Sequence, residues 1–145
     1  MATELTASVT LQGGMHFVGN VASGYQIDMD ASRMAGPLPM ETLLLSLAGC
    51  TAMDVVAILR KQRQLVENLD VHVRGFRRDE HPAVFTSIQL EYVVHGLDVE
   101  PAAVEHAIAL SRERYCPIWA MLGASVPITS VFRVVSGELA FVPMD

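Results

Sequence analysis

Two cysteines, Cys50 and Cys116, are the residues of this chain whose type and setting could do chemistry. Cys50 lies in the run Leu47-Ala48-Gly49-Cys50-Thr51-Ala52-Met53, flanked by small residues in a helical context. A glycine inside a strong helix costs about 1 kcal/mol. Gly49 therefore calls for a reason, and room beside the thiol for a substrate or another backbone is one. Cys116 lies in Tyr115-Cys116-Pro117, where Pro117 suits a first helical position, so the thiol sits at a helix start whose unpaired amides favour thiolate over thiol. One thiol in an apolar helix and one at a helix start suit a peroxidatic sulfur with a resolving partner. The plainer alternative is a pair of buried structural thiols, since free cysteine is among the most buried residue types.

Other chemistries lack their residues. The five histidines stand alone at 16, 72, 81, 95 and 106, with no CxxC, HxxxH or HExxH spacing, so no metal is expected. No GxGxxG, P-loop or GxSxG occurs, and no cofactor is expected either.

The elements that must position these thiols can be read from pattern. Alternation over Glu4–Gln12, then Met15–Val21 and Tyr25–Asp30 joined by glycine-containing turns, predicts a three-stranded antiparallel meander. After an irregular Ala31–Pro39 connection, a long helix is predicted from about Met40 to Gln64, apolar nearly all round between Leu43 and Leu59. Such a helix belongs in the middle of a fold or of an oligomer. Strands Leu69–Arg78 and Val84–His95 follow, the second alternating Ile88, Leu90, Tyr92 and Val94 against Ser87, Gln89, Glu91 and Val93. A helix from Pro101 to about Tyr115, a short helix Pro117–Leu122 and a strand Pro127–Val135 complete the order βββ-α-ββ-αα-β, with the tail to Asp145 offering one more edge strand. Strands grouped before and after a central helix indicate an α+β fold with antiparallel sheets, in one domain over residues 1–145.

Composition narrows the setting. Hydrophobic residues make up 51% of the chain and charged residues 18%, which suggests that some apolar surface meets a second subunit. Gly49 and Asp54 interrupt the longest apolar stretch, so no membrane span is expected. The N-terminus has neither a basic start nor an apolar core, which predicts a cytoplasmic protein. A net charge of −6 with scattered basic residues argues against nucleic acid as a partner.

The stretch from Pro37 through Glu41, Leu43-Leu44-Leu45, Leu47-Ala48-Gly49-Cys50 and on to Val56 resembles the P-x-E-L-L-L-x-A-L-x-x-C segment of the OsmC/Ohr family of osmotically inducible and organic hydroperoxide resistance proteins. Tyr115-Cys116-Pro117-Ile118 resembles that family's second cysteine box, and the order of elements agrees over essentially the whole chain. The resemblance implies an intertwined homodimer with central long helices and active sites at the subunit interface. It also implies a peroxidatic role for Cys50, a resolving role for Cys116, and a role for Glu41 in positioning an activating arginine.

Nine helical residues turn by about 900°, so on one straight helix Glu41 and Cys50 face opposite ways. Either the helix breaks near Gly49 or Glu41 acts from the other subunit. The family's hydroperoxidases carry the arginine in the N-terminal β region, whereas here no Arg precedes Arg33, which makes Arg33 the nearest candidate and His16 a second. The expected function is thiol-dependent reduction of organic hydroperoxides through a Cys50 sulfenic acid and a Cys50–Cys116 disulfide, with a dithiol as reductant. Leu47, Met53 and Trp119 would give the thiols apolar surroundings suited to alkyl peroxides. The alternative is a non-enzymatic redox-sensing or small-molecule-binding dimer of the same fold.

Overall fold

A computed structural model describes residues 3–136. The order of elements is β1 (Ala7–Gly13), β2 (His16–Val21), β3 (Gln26–Asp30), α1 (Pro39–Lys61), β4 (Asn68–Arg77), β5 (Phe85–His95), α2 (Pro101–Leu110), a π-helical segment (Ser111–Tyr115), α3 (Pro117–Gly123) and β6 (Ile128–Val135). This is the expected α+β class, built among the described residues as two three-stranded sheets and three α-helices. The edge strand expected in the tail falls outside the described residues.

The chain divides into two compact units, Met1–Leu43 and Leu44–Asp145. In the first, β1, β2 and β3 pair antiparallel in sequence order, as the alternation and its glycine turns predict. Asp30 ends β3 and ties the following loop. Its carboxylate accepts from the Ser32 hydroxyl at 2.6 Å, the Ser32 amide at 2.9 Å and the Ala35 amide at 3.1 Å. These donors, the Ser32 hydroxyl foremost, hold the Asp30 carboxyl below its ordinary range. The start of α1 is closed by Glu41, whose side chain accepts the Leu38 amide at 2.9 Å as half of a capping box.

In the second unit β5 is the middle strand of the order β4-β5-β6. Its Ile88, Leu90, Tyr92 and Val94 are fully or almost fully buried, the face the alternation picks out. One expectation needs correction: this sheet is not all antiparallel, because β6 runs parallel to β5. The whole α2–π–α3 segment lies between them, and a crossover of that length returns the chain in the same direction. At Gly75 on β4 any Cβ would stand 2.5 Å from the Phe85 ring and 3.1 Å from Leu44, so only glycine lets the ring lie there.

α1 runs without interruption through Gly49. It buries one stripe, Leu47, Thr51, Val55 and Leu59 at successive intervals of four, with Ala48 beside it. Leu45 and Met53 stay 63% and 75% exposed. Within the single chain α1 is thus covered along one stripe and open at Leu45 and Met53. Among the described residues α1 is also the one helix long and apolar enough, by length and composition alone, to cross a membrane, with mean hydropathy 2.0 in its most apolar window. Its Thr51 and Asp54 nevertheless bond to protein hydroxyls.

Candidate active site

Cys50 and Asp54 are one helical turn apart on α1 and so share a face. The second thiol reaches them through the backbone that follows α2. The helix does not run on to Tyr115 with α-helical spacing, as its sequence suggests. It widens into the π segment, and the Cys116 amide donates to the Ser111 carbonyl at 2.8 Å, five residues back. Pro117 then opens α3 with Cys116 as its N-cap. The result is a cluster in which the Cys50 sulfur, the Cys116 sulfur and an Asp54 carboxylate oxygen all lie within 4.8 Å of one another. Both cysteines are free thiols, Cys116 buried and Cys50 half-buried.

A line of hydroxyls stands behind the cluster. Tyr92 bonds Thr51 at 2.7 Å, Thr51 bonds Ser111 at 2.8 Å, and Ser111 donates to Asp54 Oδ2 at 2.9 Å. An ionised carboxylate only accepts and each hydroxyl has one proton to give, so the line has one direction, Tyr92 to Thr51 to Ser111 to Asp54. Tyr92, Thr51 and Ser111 are fully buried, and burial pushes the Tyr92 phenol up to about 12. No buried side-chain polar atom among the described residues lacks a partner.

The two thiols differ in character. Burial pushes the Cys116 thiol up to about 11, and its contact with the Cys50 sulfur adds to the rise. The Trp119 amide donates to the Cys116 sulfur at 3.3 Å and works the other way. The helix-start amides thus act in the expected direction, but burial outweighs them, and Cys116 is a thiol rather than a thiolate near neutral pH. That suits a resolving sulfur better than an attacking one.

Of the four residues read from the sequence, Cys50 and Cys116 come together in the second compact unit. Arg33 and Glu41 belong to the first, where the Arg33 guanidinium is 3.8 Å from the Glu41 carboxylate and both side chains are largely exposed. His16, the second cation candidate, instead pairs with Asp28 at 2.7 Å on the neighbouring strand. With α1 continuous through Gly49, a helix break does not turn Glu41 toward Cys50.

Nothing in the sequence pattern singles out Ser111, and Asp54 carries one signal, the interval of four from Cys50, in a position that reads first as an interruption of an apolar run. Of the apolar residues expected there, Trp119 is buried and reaches Cys116 through its backbone amide, Leu47 is buried in the core, and Met53 turns outward. Met53 lines a groove of about 530 Å³ with Val56, Arg60 and Leu69, and neither thiol lines it.

Residues 30–131 match the OsmC-like protein family. The protein YhfA of Escherichia coli K12 is 44% identical over 133 residues, a span that covers 91% of this chain and 99% of YhfA. Among solved structures, a hypothetical protein from Aquifex aeolicus VF5 superposes with a TM-score of 0.87 at 32% identity, over 94% of this chain and 100% of that one. The organic hydroperoxide resistance protein OsmC of Legionella pneumophila superposes with a TM-score of 0.64 at 15% identity, over 94% and 99% of the two chains, a likeness of fold alone.

Proposed function

The chain belongs to the OsmC-like protein family, and from that premise we propose that it is a thiol-dependent peroxidase acting on organic hydroperoxides. The observation that carries the reading is the free Cys50 sulfur within 4.8 Å of a second, buried thiol. The half-buried Cys50, as thiolate, attacks the terminal oxygen of the hydroperoxide. The O–O bond breaks, the alkoxide leaves and takes up a proton, and Cys50 becomes a sulfenic acid. The Cys116 sulfur displaces the hydroxyl as water, forming the Cys50–Cys116 disulfide. A dithiol reductant returns both thiols.

Activation of Cys50 in this proposal comes from a second subunit. Because α1 is unbroken, Glu41 and its ion-pair partner Arg33 act across a homodimer interface. The exposed apolar residues Leu45 and Met53 on α1 supply surface for that interface. The whole of residues 1–145 then works as one functional domain, placed in the cytoplasm as part of an oxidative stress response, without nucleic acid or membrane as partner.

One observation favours the rival reading of a non-enzymatic redox-sensing dimer. Both candidate cations, Arg33 and His16, belong to the first compact unit, whereas Cys50 belongs to the second. Consumption of cumene hydroperoxide with a dithiol reductant separates the two. Turnover by wild type, lost in Cys50→Ser and reduced to a slow or single event in Cys116→Ser, is the expected result. An inert wild type that still oxidises to the disulfide with added peroxide sinks the peroxidase and leaves the sensor.

A further inference from the structure

The Cys50, Asp54 and Cys116 cluster has a second chemistry that does not pass through peroxide. Two soft sulfurs and one hard oxygen converge from one face of α1 and the N-cap of α3, and each brings a negative charge when deprotonated. In a tetrahedral zinc site, metal–sulfur bonds of about 2.3 Å place two sulfurs about 3.8 Å apart, with an oxygen ligand about 3.5 Å from each. A trio already within 4.8 Å closes to that geometry by small side-chain rotations.

Three features go beyond proximity. Cys50 and Asp54 are four residues apart on one continuous helix, a spacing that aims two ligands at one point. Ser111 Oγ holds Asp54 Oδ2 at 2.9 Å and leaves the other carboxylate oxygen to bind, and Thr51 and Tyr92 brace Ser111 from behind. Outer partners of this kind orient ligating carboxylates. The Trp119 amide donates to the Cys116 sulfur at 3.3 Å, a contact that strengthens as the sulfur gains negative charge. Cys50 and Asp54 are half-buried, which gives an ion a way in from solvent.

We propose that the reduced protein binds one thiophilic divalent cation, of the zinc and cadmium class, through the Cys50 and Cys116 sulfurs and the Asp54 carboxylate, with water in the fourth position. Spacing among the histidines gives no hint of this site, because its third ligand is a carboxylate. Metal and peroxide then exclude each other, since both need the same sulfurs. The ion holds the dithiol reduced, and the disulfide leaves it only the Asp54 carboxylate.

Titration of reduced, chelator-treated protein with Cd²⁺ reads the site through thiolate-to-cadmium charge-transfer absorption, which only sulfur ligands produce. One ion per chain is expected, with the absorption lost in Cys50→Ser, in Cys116→Ser and in the disulfide form. Asp54→Asn weakens binding by about tenfold to a hundredfold while the far-ultraviolet circular dichroism stays the same. Absence of the absorption in wild type, or Asp54→Asn binding as tightly as wild type, overturns the proposal. Should Asp54→Asn fail to fold, wild type alone decides: Zn²⁺ slows alkylation of Cys50 at least tenfold if the site exists, and an unchanged rate refutes it. No peroxide enters these measurements, so they stand or fall apart from the peroxidase reading.

Discussion

The Cys116 amide donates to the Ser111 carbonyl at 2.8 Å, while the Ser111 hydroxyl donates to Asp54 on another helix at 2.9 Å. One serine therefore fixes both the backbone turn that delivers the second thiol and the carboxylate beside the first. Its hydroxyl is fully buried, so its removal leaves Thr51 and Asp54 each short of a partner.

Ser111→Ala is expected to lose about 1–3 kcal/mol of stability, the penalty for orphaning buried polar groups. Denaturant unfolding measures that directly. The same variant should form the Cys50–Cys116 disulfide more slowly after a peroxide pulse, because the π segment is less firmly anchored to α1. A variant as stable as wild type would show that the hydroxyl line has no structural weight.

The thiols should separate by alkylation. At pH 8, iodoacetamide should modify the half-buried Cys50 well before Cys116, whose thiol stays protonated until pH approaches about 11. A raised thiol pKa means that the folded state keeps its proton longer than the unfolded chain does. The stability linked to Cys116 is therefore fully present below the ordinary value of 9.0 and drains away as pH rises toward 11. Mass spectrometry of timed samples gives the order, and faster labelling of Cys116 would reverse the assignment of attacking and resolving sulfurs.

Much of this arrangement is legible in the sequence because it rests on periodicity. The alternation of Ile88, Leu90, Tyr92 and Val94 identifies the buried face of β5, and Pro39 with Glu41 marks the start of α1. Three features are not legible. The five-residue turn from Ser111 to Cys116 has the composition of ordinary helix, and nothing in Ser111-Arg112-Glu113-Arg114-Tyr115 announces the wider hydrogen bond. The parallel pairing of β6 depends on where a long crossover lands. The protonated state of Cys116 depends on burial by residues distant in sequence, whereas its helix-start position, visible locally, points toward thiolate.

Acid should act on the first compact unit through Asp30. Its carboxyl is held below the ordinary 3.8 by the Ser32 hydroxyl and by the Ser32 and Ala35 amides. A lowered pKa contributes stability that is present above the unfolded value and is lost as pH falls through the folded one. Asp30→Asn should thus be less stable than wild type at pH 7, and the two curves should converge as pH falls below the ordinary 3.8 and through the lowered folded value. Parallel curves across that range would mean that the carboxylate charge is not what Ser32 and Ala35 recognise.

Gly49 gives the test of what approaches Cys50. Packing within the chain does not demand a glycine there, since a Cβ at this position meets no atom beyond its chain neighbours and the local helix backbone within 4 Å. By helix propensity alone, Gly49→Ala should then stabilise the chain by about 0.5–1 kcal/mol. A position that forgoes that gain beside Cys50 implies that something else needs the space, and on the peroxidase reading it is the hydroperoxide or the second subunit. Gly49→Ala is therefore expected to unfold at higher denaturant concentration yet to turn over cumene hydroperoxide about tenfold more slowly or worse, since small misplacements at a reacting centre have effects of that order. Gel filtration of the variant assigns the cause: an intact dimer with slow turnover means the methyl blocks substrate, and a dissociated one means it blocks the neighbouring subunit. Higher stability with full turnover and an unchanged assembly would show that the open space beside Cys50 serves neither.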